Sequence, residues 1–234
     1  MLLSVTGASG VGKSTALAAL THAFANSKLV CVEFDSVGVP EEIVHSTGAD
    51  GTTWRHRTIE HWVQRAVAEQ RAGRHLVLCG QVPVGELLAV PSAELLDGIA
   101  ACLLHCSPEV RRQRLIGRGE NPEELEAQLS FGEWIYNHMT DPTYMPEVIR
   151  VDGAMPMHWE RWTHWKAGDP RWSFEVIDTD ALTPEQVAER VVAWVRGTLS
   201  AHLAARTRSA RASSSRPRGS SSAGPSSSRS WPSL

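Results

Sequence analysis

The sequence predicts an α/β protein in which a parallel β-sheet is covered on both faces by helices. Three observations predict it. First, Gly7-Ala8-Ser9-Gly10-Val11-Gly12-Lys13-Ser14, followed by Thr15, fits the phosphate-binding loop G-x-x-x-x-G-K-[ST] and sits between a β-prone run and a helical pattern. Second, short continuous apolar runs such as Leu76-Val77-Leu78-Cys79 suit strands that are buried on both faces. Third, such runs alternate with stretches of helical period, the order that a parallel sheet requires.

Taken in order, Leu2-Leu3-Ser4-Val5-Thr6 is the strand before the loop, and Ala16, Leu17, Leu20, Ala23 and Phe24 follow it at helical spacing. Leu29–Phe34 predicts a second strand that ends at Asp35-Ser36. A polar, Gly-bearing connection from Ser46 to Thr53 leads into a helix with Ile59, Trp62, Val63, Ala66, Val67 and Gln70 on one face. The strands Leu76–Cys79 and Ala101–His105 come next. Ser107-Pro108 offers an N-cap with Pro at the first helical position, opening a helix that carries Arg111, Arg112 and Arg114, with Arg118 close behind. Positions 111, 114 and 118 share a helical face. Asn121-Pro122 repeats the cap signal. Phe174–Ile177 is the last strand, and Thr183-Pro184-Glu185-Gln186 is a capping box ahead of Val187, Val191, Val195 and Leu199.

The segment from Trp134 to Trp172 breaks this rhythm. Its Trp159, Trp162 and Trp165 recur every three residues, as one side of a short helix, and serve either core packing or an aromatic wall for a substrate. After Ala204 the chain is Ser, Arg, Pro, Gly and Ala with almost no large apolar residue. This composition divides the chain into a domain at 1–204 and a disordered Arg/Ser/Pro-rich tail at 205–234.

The formal net charge of −3 hides an asymmetry. Six arginines and no acid follow position 205, so residues 1–205 carry 17 basic against 26 acidic groups, a net −9. An acidic body argues against a nucleic-acid partner. Cys31, Cys79, Cys102 and Cys106 form no C-x-x-C pair and read as small hydrophobes. The ten histidines show no metal-ligand spacing. There is no apolar run near 18 residues and no leader ahead of the loop, so the expectation is a cytoplasmic protein without a membrane partner.

The chemistry begins at the loop. Its glycines let backbone N–H groups turn inward around an anion. Lys13 is expected on the β- and γ-phosphates, Ser14 on Mg²⁺, and Gly7 through Thr15 form the nucleotide-binding set. Asp35, at the carboxyl end of the second strand, is placed to bind or deprotonate an acceptor hydroxyl, or else is an ordinary turn residue. Glu33, two residues earlier in an extended run, projects to the same side and is the weaker candidate. Arg118, beside Gly119, is the expected catalytic arginine, because a lid needs a hinge.

This order of motifs resembles the nucleoside-monophosphate-kinase-like group of P-loop small-molecule kinases, which includes shikimate kinase, gluconate kinase, dephospho-CoA kinase and chloramphenicol phosphotransferase. The resemblance rests on Gly7–Thr15, on Phe34-Asp35-Ser36, on Arg114-Leu115-Ile116-Gly117-Arg118 and on Ile177-Asp178-Thr179-Asp180. It implies a P-loop NTPase three-layer sandwich with five parallel strands in the order 2-3-1-4-5 and a lid at about 114–172. It also implies ATP and Mg²⁺ as cofactors, with Arg114 near the adenine and Arg118 over the phosphates. Asp35 then contacts the acceptor, Gln81 and Glu86 lie where the group makes further acceptor contacts, and Arg55 and Arg57 lie where kinases of phosphorylated acceptors grip the acceptor phosphate. The chain departs from the group at Leu78-Cys79-Gly80-Gln81, where many members end the third strand in an acid that holds Mg²⁺ through water.

The expected function is therefore transfer of the γ-phosphate of ATP to a hydroxyl of a small metabolite or antibiotic. Two rivals stay open at this point: a kinase of nucleotides or other phosphorylated acceptors that uses Arg55 and Arg57, and a non-catalytic, nucleotide-gated regulatory module.

Overall fold

The computed structural model describes residues 1–38, 49–151 and 155–214. Five strands, β1 (Leu2–Thr6), β2 (Leu29–Glu33), β3 (His75–Gly80), β4 (Ile99–His105) and β5 (Glu175–Asp178), form one parallel sheet in the order β2-β3-β1-β4-β5. The helices are α1 (Lys13–Ala23), α2 (Ala49–Arg71), α3 (Val84–Ala89), α4 (Pro108–Gly117), α5 (Pro122–Thr140) and α6 (Pro184–Ser214). The expected three-layer arrangement and strand order are both present.

β1 is the centre. It pairs with β3 on one side and β4 on the other, and all five of its residues are buried. Helices α1 and α6 pack on each other over one face of the sheet, and α2 covers the other. The α2 stripe is the one its spacing predicts, with Ile59, Trp62, Val63, Ala66 and Val67 buried. Fully burying a side chain the size of Val or Ile contributes roughly 1.5–3 kcal/mol, and the Ala66 methyl correspondingly less. The caps also form as expected. Ser107 Oγ accepts from the Val110 N–H and Asn121 Oδ1 from the Glu123 N–H. Thr183 and Gln186 bond reciprocally, each side chain accepting from the other's backbone N–H.

Besides shifts of one or two residues at the ends of β3, β4 and β5, three boundaries differ from those expected, each for a structural reason. β2 stops at Glu33, because Phe34–Val37 winds into a 3₁₀ turn whose Phe34 carbonyl accepts from Trp62 Nε1 at 2.9 Å. α2 begins at Ala49, inside the stretch read as a connection; Trp54 meets the Phe34 ring edge-on, and that tertiary contact favours the early start. α6 continues to Ser214, past the boundary drawn at 204, since Ala and Arg are good helix formers and Arg206 pairs with Asp97 ahead of β4. Residues 215–234 of the expected tail lie outside the described residues.

The tryptophan segment is mostly core. Of the Trp159, Trp162 and Trp165 repeat only the start is helical, in the 3₁₀ turn Trp159–Arg161, while Trp162, Trp165 and Trp172 are buried against one another. No helix among the described residues is long and apolar enough to cross a membrane.

Candidate active site

Ligands of open α/β sheets bind outside the carboxyl ends of the strands, where the strand order reverses. Here that point is β1, which hands the chain to the phosphate loop. A cavity of about 800 Å³ opens there, and segments beyond the carboxyl ends of all five strands line it. Its walls are Ser9–Thr15 after β1, Glu33 and Asp35 at the end of β2, and Cys79–Gln81 at the end of β3. Arg114, Gly117 and Arg118 of the α4 region, with Leu182, Pro184 and Val187 after β5, complete it.

The loop holds its shape through backbone angles that favour glycine, with φ of 141° at Gly7, 84° at Gly10 and 100° at Gly12. At Gly7 the reason is also spatial, since a β-carbon would overlap the Leu104 carbonyl oxygen of β4. Gly7 and Ala8 lie buried beneath the cavity, while the rest of the expected set, Ser9 to Thr15, lines it. Lys13 Nζ donates to the Ala8 carbonyl at 2.7 Å, which leaves two ammonium protons for a ligand. Burial lowers its pKa to about 8, with Arg118 adding to the effect and the nearby acidic groups opposing it. Ser14 stands in the first turn of α1 and faces the same space. Gln81 Nε2 donates to Ser9 Oγ at 2.9 Å, tying the loop to the end of β3.

Glu33 and Asp35 both reach the cavity. Glu33 pairs in register with Cys79, and residues paired in a parallel sheet point to the same face. A carboxylate therefore stands one strand over from the position where the third-strand acid is missing. Burial pushes the Cys79 thiol up to about 12, so that side chain stays neutral and cannot replace the acid. Among the described residues no group of three or more His, Cys, Asp or Glu side chains gathers to hold a metal. A cation here would draw on Ser14 and these two carboxylates.

The arginines separate. Arg114 lines the cavity but is already engaged, with Nη1 donating to Thr179 Oγ1 at 2.9 Å and Nη2 to the Thr179 carbonyl at 2.7 Å. Arg118 lines it from the exposed end of α4 and pairs with Glu120. Arg111 does not share their outlook. It is buried between α4 and α5, where Nη2 donates to the Leu129 carbonyl at 2.5 Å and the guanidinium lies against Gly132, in room that only glycine leaves. Arg55 does not line the cavity but reaches its wall, with Nη2 donating to the Gln81 carbonyl at 2.6 Å. Arg57 is exposed and away from it.

Neither the anchoring of Arg114 by Thr179 nor the wall of Leu182, Pro184 and Val187 follows from the sequence pattern. The capping box beside them signals a helix start but says nothing about which face the loop before it presents.

No protein-family model matches the sequence, and no curated protein matches it. Solved structures do. A sugar kinase from Janibacter sp. HTCC2649, in an unliganded crystal structure, superposes with a TM-score of 0.54 at 20% identity, over 83% of this chain and 94% of that one. A gluconokinase from Sinorhizobium meliloti 1021 superposes with a TM-score of 0.50 at 19% identity, over 87% and 95%. At these identities the likeness is one of fold.

Proposed function

We propose that this chain is an ATP- and Mg²⁺-dependent phosphotransferase that moves the γ-phosphate to a hydroxyl of a small organic acceptor. One observation carries the reading: Lys13 and Ser14 of the phosphate loop share a cavity with the Asp35 carboxylate beyond β2. That the two superposed structures are kinases of a sugar and of gluconate agrees with it.

In this reading the loop amides, the amino end of α1 and Lys13 hold the triphosphate. The Ser14 hydroxyl with Glu33 and Asp35 is an oxygen-rich set that suits Mg²⁺, which when bound neutralises charge on the β- and γ-phosphates. Asp35 takes the proton of the acceptor hydroxyl as that oxygen bonds to the γ-phosphorus and the bond to the ADP oxygen breaks. Arg118 exchanges Glu120 for the transferring group by turning about Gly119, whose φ is 78°; the part of the expected lid from Trp134 to Trp172 that is buried in the core stays in place. Cys79 in place of an acid removes one means of activating water, which favours transfer to an acceptor over hydrolysis.

The test is transfer of labelled γ-phosphate from ATP to a pool of small hydroxyl compounds, with and without Mg²⁺. Lys13→Ala is expected to abolish transfer. Asp35→Asn is expected to lower kcat by roughly 10²- to 10⁴-fold, the usual range for a positioned base, while ATP still raises Tm. An ATP-stabilised protein that transfers to no acceptor overturns the proposal.

A further inference from the structure

We propose that the triphosphate is the counter-ion of Arg111, whose buried guanidinium lies behind the phosphate loop with no carboxylate paired to it among the described residues. The inference rests on the triphosphate site of the reading above and not on transfer to an acceptor.

Arg111 is 1% exposed but lacks the paired, fully hydrogen-bonded setting that a buried charge ordinarily has. Its Nη2 donates to the neutral Leu129 carbonyl, and its Nε is buried without a hydrogen-bond partner. The carboxylates of α4, α5 and the link between them are engaged or face solvent. Glu126 pairs with Arg112 and Glu120 with Arg118, while Glu109, Glu123, Glu124 and Glu133 are exposed. Asp180, beyond β5, accepts from the Ser107 N–H. Burial pulls the Arg111 pKa below its ordinary value, with Cys106 and Glu133 opposing, yet a guanidinium keeps its charge at neutral pH. The protein therefore folds around a cation that its own carboxylates leave unpaired.

The side chain runs directly behind the loop. A β-carbon on Gly10 would stand 3.3 Å from Arg111 Cγ and 3.4 Å from Leu115 Cδ2, so the loop backbone rests on their aliphatic carbons. The guanidinium carbon is three bonds beyond Cγ, which places it within about 9 Å of the Gly10 Cα by covalent geometry. Gly10 itself lines the cavity, together with Ser9 and Val11. A charge buried in this way is screened far less than one on the surface. At an effective dielectric of about 20, one unit charge about 10 Å from another changes affinity roughly tenfold. Without a ligand the same unpaired charge only weakens the fold.

Titration calorimetry with ATP and with inorganic tripolyphosphate tests this, alongside the Tm of each ligand-free protein. Arg111→Met keeps the bulk of the side chain and removes its charge. That variant is expected to bind both ligands about tenfold more weakly than the native protein while its ligand-free Tm rises. Arg111→Lys, which keeps the charge and loses the planar fork, is expected to bind both within about threefold of the native protein. A role confined to packing α4 against α5 predicts the opposite: a lower Tm in Arg111→Met and no rescue by lysine. Either of those results overturns the inference, as does native affinity in Arg111→Met. Should Arg111→Met fail to fold, Arg111→Gln, also neutral and still able to donate to the Leu129 carbonyl, carries the same expectations. Failure of both to fold counts against the inference, because an unpaired charge is not what folding needs. A native protein that binds neither ATP nor tripolyphosphate overturns the phosphotransferase reading as well, whereas one that binds both with Arg111→Met unchanged leaves that reading standing.

Discussion

Raising the pH from 7 to 9 should weaken triphosphate binding about tenfold, the ratio set by the titration of Lys13. In the ligand-free protein its pKa is lowered from 10.5 to about 8, chiefly because burial disfavours the ammonium. With a pKa of about 8, about nine-tenths of the molecules carry the charge at pH 7 and about one-tenth at pH 9. A triphosphate reverses the imbalance by supplying negative charge, so the bound state holds the proton and affinity falls as pH rises through about 8. Near pH 8 binding should take up about half a proton. Titration calorimetry in two buffers of different ionisation enthalpy reads that uptake directly, and Lys13→Met supplies the baseline for the nucleotide's own ionisation. The same burial penalises the folded state wherever the ammonium persists below its unfolded value. Lys13→Met should therefore raise the Tm of the nucleotide-free protein while weakening, not erasing, its stabilisation by nucleotide. Flat affinity between pH 7 and 9, with no proton taken up, would refute the account of Lys13.

Other outcomes rest on single contacts. Gly7→Ala forces a β-carbon onto the Leu104 carbonyl at a φ of 141°, and neither backbone can yield; binding of nucleotide should be lost, together with several degrees of Tm by calorimetry. Gly132→Ala should drive Arg111 out of the seam between α4 and α5 at a cost of about 1–3 kcal/mol in a denaturant titration, and the additional change Arg111→Ala should recover part of it. Trp162→Ala should cost about 3–5 kcal/mol, as expected for a fully buried indole. Gly85→Ala should be destabilising on its own, because the Trp162 ring lies 2.8 Å from where a β-carbon would stand, and nearly silent once Trp162 has been truncated.

The fold is legible in the sequence because its signals are local. Gly7–Ser14 fixes a strand, a turn and a helix at once; Ser107, Asn121 and Thr183 mark three helix starts with side chains that do bond there; and Ile59 to Val67 carries its period unaided. What stays hidden depends on register and on long-range pairing. That Glu33 stands beside Cys79 is a matter of how β2 aligns with β3, which no single stretch encodes. Arg111 and Arg114 look alike in a run of arginines, yet one is folded into a seam by Gly132 and the other is tethered by Thr179, both far along the chain. Arg55 looks free to grip a phosphate in the sequence, whereas in the fold Glu86, thirty-one residues away, holds it. The full extent of α6 is masked by its low complexity, which obscures the helix propensity of Ala and Arg.

Helix α6 begins at Pro184 in the wall of the cavity, and its Arg206 meets Asp97 just ahead of β4, at the far pole of the sheet. At about 1.5 Å per residue, the 31 residues of this rod measure on the order of 46 Å, longer than the strands it crosses. A tether fixed at exposed Arg208 would thus stand the molecule with its mouth turned away from the support. Immobilised in that posture, the protein should admit and release small molecules as readily as it does when free in solution.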